Sequence, residues 1–498
     1  MYPIRCGFGV ARSVIVSAEA VYSHEGEYLG DHVLVDEGLV KSISRGEPHV
    51  SVGKRIAVRG FLFPPLVDAH LHMRSLGASF RIVNLKGASS PEEVAKRLAA
   101  ANSPIAVGRG WNEEEFRPGS RLDRNILDSY LGEKPALAVR ICGHVAVANS
   151  AFIRESGVDK LFPNLVDRER GLLLEDAVAY AVSLAMKTYN NEELLRDAAS
   201  ALASVGVFGV SSMACSEEEV RALSLIGDAL EVRVACYLRR GVEPPPKRAG
   251  VRWGIVGVKL FADGSLGGRT AYLRRPYISG ENKGWRGLKL LSSRDIAEEA
   301  ASNSRRGLAT AVHAIGDAAL DEVLEGFSNA ISRGVEPGML RVEHASLAWP
   351  SQIDRLASLR VWTVVQPLFR VSDWWLERRV GSDVLQAAYP FASMLRAGVK
   401  LALSTDAPVE TYDPAETFKA AVGLCSSRLC RESESLTPRE TLKLYTLNSA
   451  LASGGPVAGL GRLRRGAPAL FAVSNVDVLN SGRKELEKLK FRGLNLAR

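Results

Sequence analysis

Eight short apolar runs, each rich in β-branched residues, recur along the chain from residue 54 onward with amphipathic helical stretches between them. This alternation is typical of parallel βαβ units. The eight units predict an α/β fold, a closed (β/α)8 TIM-like barrel whose active site lies at the carboxyl ends of its strands. The predicted strands span residues 61–67, 205–213, 230–238, 254–261, 308–313, 341–344, 361–366 and 399–404.

Long segments lie outside this repeat and predict further domains. The stretch between the first two strands is far longer than a βα loop needs. The stretch before the barrel is β-rich, with a hairpin turn expected at residues 36–38, Asp-Glu-Gly. The basic tail, residues 483–498, is expected to form a solvated helix. The predicted domains are a composite β-sandwich domain of residues 1–60 and 452–498, a barrel of residues 61–451, and a subdomain inserted at residues 73–204.

Composition excludes several classes of protein. Of 498 residues, 46% are hydrophobic and 24% charged, which is typical of a globular chain with a large core. The net charge of +8 is spread without interleaved aromatic residues, so no nucleic-acid partner is expected. No signal peptide and no apolar run long enough for a membrane span are found, which predicts a soluble, cytoplasmic protein. The scattered cysteines predict neither a zinc knuckle nor a disulfide framework, and Cys215 is expected to be a buried small side chain.

The first chemical constellation is Asp68-Ala69-His70-Leu71-His72, which follows an apolar strand. Side chains two residues apart in an extended segment face the same side, so both imidazoles can reach one ion. Paired histidines also occur by chance on half-buried strands. The position at the carboxyl end of strand one favours a metal site.

Three more candidate ligands end later strands. His313 ends strand five and His344 ends strand six. A lone histidine there is more often a core residue, but two on consecutive strands facing the same barrel mouth favour metal ligation. Asp406 ends strand eight, where it could cap the next helix, or bind a metal and take a proton from metal-bound water. The second interpretation is favoured.

Lys259 stands at the end of predicted strand four. An inward lysine is costly there unless its charge is neutralised, and near cations its amine loses its proton readily. A neutral amine can add CO2 to give a carbamate whose oxygens bridge two metals. Pairing of Lys259 with Asp263 or with the substrate is the alternative.

In order along the chain these segments resemble the amidohydrolase superfamily, and more narrowly its YtcJ-like amidohydrolase-3 branch. Resemblance implies that His70, His72 and Asp406 bind one metal, that His313 and His344 bind a second, and that carboxylated Lys259 bridges them. The motifs are Val67 to His72, Gly110-Trp111, Gly143-His144 with Asn149-Ser150, Val258 to Thr270, His313 to Asp317, Arg341 to His344, Gln366-Pro367, Ser404 to Pro408, and Tyr445 to Asn448.

The resemblance also implies that the inserted segment, with Trp111 and His144, closes over the site and shapes a substrate pocket. Core packing is the alternative for Trp111, and a structural hydrogen bond is the alternative for His144. The glycine-rich loop at residues 263–268 lacks the lysine of a phosphate-binding loop, so its glycines are expected to let the backbone pass close to the site.

These observations predict a metal-dependent hydrolase that cleaves a C–N bond of a small molecule, of amide, N-acyl or N-formyl type, by a metal-bound hydroxide. The expected cofactor is two divalent ions. Zinc suits the ligands best, and iron, manganese or cobalt could occupy the same site. The alternatives are a mononuclear deaminase of a heterocyclic or aromatic amine, and a non-catalytic binding protein. Oligomeric state is left open, with a homodimer as one option.

Overall fold

The structure is a computed structural model. It describes residues 13–497 apart from 49, 51, 141–144, 175, 188, 247 and 279–283. Its strands are β1 (Ser13–Tyr22), β2 (Tyr28–Asp36), β3 (Leu39–Ser44), β4 (Lys54–Ala57), β5 (Phe61–Phe63), β6 (Leu66–Leu71), β7 (Val83–Asn84), β8 (Ala106–Trp111), β9 (Ala136–Arg140), β10 (Val145–Ala148), β11 (Val166–Asp167), β12 (Leu172–Leu174), β13 (Val207–Cys215), β14 (Arg233–Arg239), β15 (Trp253–Phe261), β16 (Ala309–Ala314), β17 (Leu340–His344), β18 (Trp362–Val365), β19 (Lys400–Leu403), β20 (Leu470–Ser474) and β21 (Phe491–Asn495).

The α-helices connect these strands. The clearest helix start is that of α9, where the Ser292 side chain accepts the Asp295 N–H and the Asp295 carboxylate accepts the Ser292 N–H. The helices are α1 (Met73–Ser79), α2 (Pro91–Ala99), α3 (Arg124–Leu131), α4 (Ser150–Ser156), α5 (Val158–Leu161), α6 (Asp176–Lys187), α7 (Asn191–Ser204), α8 (Glu217–Ile226), α9 (Ser293–Arg305), α10 (Asp317–Ser332), α11 (Pro350–Leu359), α12 (Phe369–Ser372), α13 (Glu377–Val380), α14 (Phe391–Arg396), α15 (Pro414–Ala421), α16 (Pro438–Lys443), α17 (Ser449–Ser453) and α18 (Arg483–Leu486). Among the described residues, no helix combines the length and the apolar character that crossing a bilayer requires.

The chain divides into two compact units, residues 1–73 with 198–498, and residues 74–197. The second unit is built on a six-stranded sheet with the order β11-β12-β10-β9-β8-β7. Separate clusters of buried apolar side chains pack within it, one around Leu98 and Trp111 and another around Val139 and Phe152. The unit lies within the predicted insertion at residues 73–204, and its assignment as a subdomain stays a prediction.

Both ends of the described chain contribute to one seven-stranded sheet in the first unit, with the order β21-β20-β5-β1-β2-β3 and β4 paired to β1. The predicted hairpin is confirmed, because β2 and β3 pair antiparallel and Glu37 and Gly38 in the turn have φ of 50° and 79°. The predicted terminal helix is wrong. Helix α18 has four residues, and β21 then pairs with β20 and buries Phe491. The composite sandwich domain stays a prediction.

The barrel consists of eight parallel strands, β6 and β13 to β19, each next to its neighbour in the chain. Seven of the predicted strands overlap the observed ones. The first was wrong at its start, because Phe61–Phe63 is β5 of the terminal sheet and the barrel strand begins at Leu66. Pro64 and Pro65 separate the two, since proline cannot donate a ladder hydrogen bond. His70 therefore lies inside β6 rather than after it.

Hydrogen bonds between the first and last strands bring the barrel close to closure. The Asp68 carboxylate, fully buried, accepts the Thr405 hydroxyl at 2.5 Å and the Thr405 N–H at 3.1 Å. Backbone bonds continue the contact, from Asp406 N–H to the His70 carbonyl and from His72 N–H to the Ala407 carbonyl, both at 2.8 Å. The ends of β6 and β19 are thereby held side by side.

The cysteine prediction is wrong in one place. Cys425 and Cys430, whose Cα atoms are 6.1 Å apart, form a disulfide. They close a short loop after α15, a local arrangement that spacing alone did not indicate. Cys215 and Cys236 are free and buried, as expected of small core side chains.

We expect Thr405→Val to lower the free energy of unfolding by about 1.5–3 kcal/mol, because the buried Asp68 carboxylate loses its hydroxyl donor. Urea unfolding followed by circular dichroism measures this. Thr363→Val is the matched control, because the buried Thr363 hydroxyl of β18 has no hydrogen-bond partner in the described structure. An equal loss of stability in both variants would contradict a specific role for the Asp68–Thr405 bond.

Candidate metal centre

A cavity of about 390 Å³ opens at the carboxyl ends of the barrel strands. All six predicted ligands line it: His70, His72, Lys259, His313, His344 and Asp406. The rest of its lining is Phe261, Ser265, Leu266, Gly267, Ile315, Ser346, Phe369, Asp373 and Val409. Six residues from five different strands or strand ends thus meet in one cavity.

His70, His72 and Asp406 form the tightest group of potential ligands. The Asp406 Oδ1 atom lies 3.2 Å from His72 Nε2 and 3.4 Å from His70 Nε2. One ligand atom from each residue lies within 4.8 Å of the other two. Two imidazole nitrogens and a carboxylate oxygen in this arrangement can surround one cation.

Hydrogen bonds fix the tautomers of these two histidines. His72 Nδ1 lies 3.1 Å from the Met213 carbonyl, and His70 Nδ1 lies 2.6 Å from Glu343 Oε2. Because a carbonyl oxygen and a carboxylate accept, each Nδ1 carries the proton. Each Nε2 therefore faces the side where Asp406 lies. Burial lowers the pKa of His72, but the hydrogen bond to Asp406 and its charge raise that pKa overall. Burial also lowers the pKa of His70 well below its ordinary value, which keeps this ring neutral.

His313 and His344 form a second pair, with ring centroids 4.5 Å apart. His344 Nδ1 donates to Gln366 Oε1 at 2.8 Å, and the Gln366 amide nitrogen donates to Ser404. His313 Nε2 donates to the Gly264 carbonyl at 2.8 Å, which leaves Nδ1 as its free nitrogen. Burial lowers the pKa of His313 to about 3 and that of His344 well below its ordinary value, so both rings are neutral and each has a nitrogen lone pair available for a cation.

The Lys259 amine is 1% exposed, and its Nζ has no hydrogen-bond partner in the described part of the chain. Burial lowers its pKa to about 8. Pairing with Asp263 was the alternative, but the Asp263 carboxylate instead accepts the backbone N–H groups of Tyr272, Ile315 and Gly316. A buried amine without a partner is costly unless a ligand or a modification completes its environment.

Backbone strain is concentrated where the strands end. Ala214, His344, Ala345 and Asp406 have φ between 44° and 73°. Left-handed backbone is costly for residues with a Cβ and is found where the surrounding structure imposes it. The capping alternative for Asp406 is wrong, because the helix that follows, α15, is capped by Asp413.

The chain resembles known hydrolases along most of its length. The sequence profile described as the Amidohydrolase family matches residues 60–493. The chain belongs to the amidohydrolase family. It is 27% identical over 474 residues to the amidohydrolase YtcJ of Bacillus subtilis (strain 168), an alignment that covers 86% of each chain.

Other relatives of this amidohydrolase agree in fold and class. N-substituted formamide deformylase of Arthrobacter pascens is 30% identical over 211 residues, which is 41% of this chain and 38% of the deformylase. The crystal structure of an uncharacterized metal-dependent hydrolase from Pyrococcus furiosus matches with a TM-score of 0.81 at 30% identity, over 94% of this chain and 100% of that one. The predicted barrel fold and a hydrolase acting on carbon–nitrogen bonds are therefore confirmed.

Sequence reasoning missed the charged pair of β17 that supports the amidohydrolase centre. Arg341, 1% exposed, donates to both carboxylate oxygens of Glu343, at 2.9 and 3.1 Å. The guanidinium also donates to Tyr237 and to the carbonyls of Ala69 and Ala452. Glu343 in turn holds His70. The sequence did contain a signal for this pair: Arg341 and Glu343 are two residues apart in a short strand, so their side chains face the same side.

Of the two predicted substrate residues of the inserted segment, Trp111 is not part of this cavity lining. Trp111 is 5% exposed in the core of the second unit, where its indole N–H donates to the Ala138 carbonyl at 3.0 Å and its ring stacks on Phe116. These are contacts of a core residue. His144 lies outside the described residues. The substrate-binding role stays a prediction for both.

If His70 binds a metal, Glu343→Gln is expected to weaken that binding by about 10- to 100-fold, because losing the carboxylate that accepts from His70 Nδ1 lowers the basicity of the ring. Competition with a chelating dye would measure the affinity of the folded variant. Glu434→Gln is the matched control, since this buried glutamate accepts from Ser393 and does not line the cavity. If the metal affinity of Glu343→Gln is unchanged, the Glu343 carboxylate does not support metal binding through His70.

Proposed function

We propose that this amidohydrolase hydrolyses a small amide of N-acyl or N-formyl type with two divalent cations. His70, His72 and Asp406 would hold one cation, and His313 and His344 the other. Carboxylated Lys259 would bridge them. The observation that carries the proposal is the Lys259 amine, which has no hydrogen-bond partner among the described residues and is buried in a cavity lined by four imidazoles and the Asp406 carboxylate.

The donor set fits such cations. Neutral imidazoles and carboxylate oxygens suit zinc best, and iron, manganese and cobalt also accept them. A Lys259 amine whose pKa is about 8 is partly neutral near physiological pH. The neutral nitrogen adds to the carbon of CO2 and loses one proton to water, which gives an anionic carbamate with two oxygen ligands. When bound, the cations supply Lewis-acid activation of water and of the scissile carbonyl.

Asp406 would move the proton. Its Oδ1 lies 3.4 Å from His70 Nε2 and 3.2 Å from His72 Nε2, so a water held by a cation at these residues would be within reach of this carboxylate. Oδ1 accepts that proton and then returns it to the leaving nitrogen, which departs as an amine. Glu343 and Gln366 keep His70 and His344 in the tautomer whose free nitrogen faces the cavity, so these nitrogens would be available to the cations.

The cavity suits a small substrate with an apolar part. Its volume of about 390 Å³ is in the range of small-molecule sites, and Phe261, Leu266, Ile315, Phe369 and Val409 supply apolar wall. The similarity to N-substituted formamide deformylase supports formamides as the first substrate class to test.

A mononuclear deaminase of a heterocyclic or aromatic amine is the second candidate. The observation that favours it is that, among the described residues, only His70, His72 and Asp406 already bring their ligand atoms within reach of one ion. In that reaction Lys259 would not bridge cations, so the number of ions bound separates the two proposals.

We expect the purified protein to hold close to two divalent ions per chain, and Lys259→Ala to hold one or fewer. The reason is that the substitution removes the bridging carboxylate. Elemental analysis after reconstitution with zinc and bicarbonate measures this. Lys289→Ala, which removes a lysine paired with Glu322 outside the cavity, is the control and should keep the full metal content. One ion in both the native protein and Lys259→Ala would reject the bridge and favour the deaminase.

Asp406→Asn is expected to lower kcat on N-formyl amines by about 100-fold or more, because an amide cannot accept and return the proton. Formate release by the metal-loaded variant measures this. Asp413→Asn is the control, since asparagine also caps a helix and activity should be kept. A small effect of Asp406→Asn at full metal content would assign the proton transfer to another group.

A further inference from the structure

One acidic side chain of the cavity has no part in the proposed metal centre. Asp373 follows α12, on the connection after barrel strand β18, and it lines the cavity together with the six candidate ligands. Asp406 and Asp373 are the carboxylates of the described lining, and Asp406 belongs to the metal group. Asp373 therefore gives the wall of the cavity a charge of its own.

A buried tyrosine holds this carboxylate in place. The Tyr389 hydroxyl donates to Asp373 Oδ2, and Tyr389 is 2% exposed, with its backbone N–H bonded to the Ser346 carbonyl at 2.8 Å. Asp373 Oδ1 accepts no hydrogen bond from the described residues. A carboxylate fixed by one oxygen leaves the other free to accept from a ligand.

No cation of the described chain pairs with Asp373. Arg379 is the positive group whose charge acts on it, but this guanidinium stacks on Trp375 at 3.8 Å and donates to the carbonyls of Leu266 and Gly267. Glu410 adds a second negative charge. Burial, supported by Glu410, raises the pKa of Asp373 to about 6, which leaves the group ionised at neutral pH. A partly buried charge without a counter-ion is unfavourable in the free protein.

The surroundings of Asp373 narrow the class of ligand. Phe369, at the start of α12, and Val409 supply apolar wall, as do Phe261, Leu266 and Ile315. An ammonium on an apolar arm would gain both the free carboxylate oxygen and this apolar contact. A substrate with an anionic arm would be repelled by the Asp373 carboxylate.

We propose that Asp373 is a specificity-determining residue that binds a positively charged nitrogen of the substrate, so that the amides hydrolysed carry an ammonium group on an apolar arm. This rests on the proposed function for the reaction, but binding of the cationic arm is separate from hydrolysis. A purely structural Asp373 would serve as the acceptor for Tyr389, a task that an asparagine oxygen also performs.

The test compares two formamides of equal length, N-(aminohexyl)formamide, which is cationic, and N-heptylformamide, which is neutral. Titration calorimetry gives Kd for each on the zinc-loaded native protein, and formate release gives KM and kcat. We expect the native protein to prefer the cationic compound by about 10-fold or more in Kd, a typical effect of a desolvated charge pair. Asp373→Asn should bring the two Kd values close together, and KM rather than kcat should change.

Two further variants separate charge from structure. Tyr389→Phe removes the hydroxyl but keeps the carboxylate, so the preference for the cation should persist. Asp383→Asn removes an aspartate of the same segment that pairs with Arg275 and does not line the cavity, and it should behave as native protein.

Lack of preference in the native protein, or a preference that survives in Asp373→Asn, overturns the inference. The native measurement decides even if Asp373→Asn fails to fold. Hydrolysis of both formamides at equal efficiency would keep the proposed function and reject the role of Asp373. Selective binding of the cationic compound without formate release would reject formamide hydrolysis and support Asp373.

Discussion

The hydrogen bonds between the first and last barrel strands are the contact on which the cavity depends. The Asp68 carboxylate holds Thr405, and the Asp406 N–H bonds to the His70 carbonyl. Two candidate ligands from opposite ends of the sheet are thus joined through their backbones. Without this contact the sheet would stay open, and Asp406 would not face the histidines of β6. The geometry of the centre is therefore a consequence of barrel closure.

Burial then decides the charge state of the groups that closure brings together. Burial keeps His70, His313 and His344 neutral, so that these rings can bind a cation rather than repel it. Arg341 and Glu343 are buried as well, but the guanidinium donates to Glu343, Ala69 and Ala452, and Glu343 also accepts from His70. Lys259 and Asp373 lack such partners among the described residues. In the cavity lining, the Lys259 amine has no hydrogen-bond partner and the Asp373 carboxylate keeps one oxygen free, and we assign the first to carboxylation and the second to the substrate.

Prediction from sequence succeeded where one short pattern determines the outcome. Seven of the barrel strands follow from apolar runs of the right length, and the turn at Glu37 and Gly38 follows from residues that accept positive φ. Prediction failed where the secondary structure of a segment depends on pairing with a strand far away in the chain. The start of β6 depends on which sheet Phe61–Phe63 joins, and the basic tail becomes β21 because β20 offers an edge for pairing. Local propensity carries no information about such edges.

For the site, the sequence by itself determined the identity of the candidate ligands, since His70, His72, Lys259, His313, His344 and Asp406 all occupy strand ends that a barrel turns toward one mouth. Only the tertiary structure decided how these groups are tuned. The proton positions depend on Glu343, Met213, Gln366 and Gly264, and only the folded chain brings Asp373 to the cavity wall beside Tyr389. The physical reason is that strand periodicity fixes the direction of a side chain locally, whereas these hydrogen-bond partners lie 16 to 273 residues away in the chain and burial arises from the whole fold.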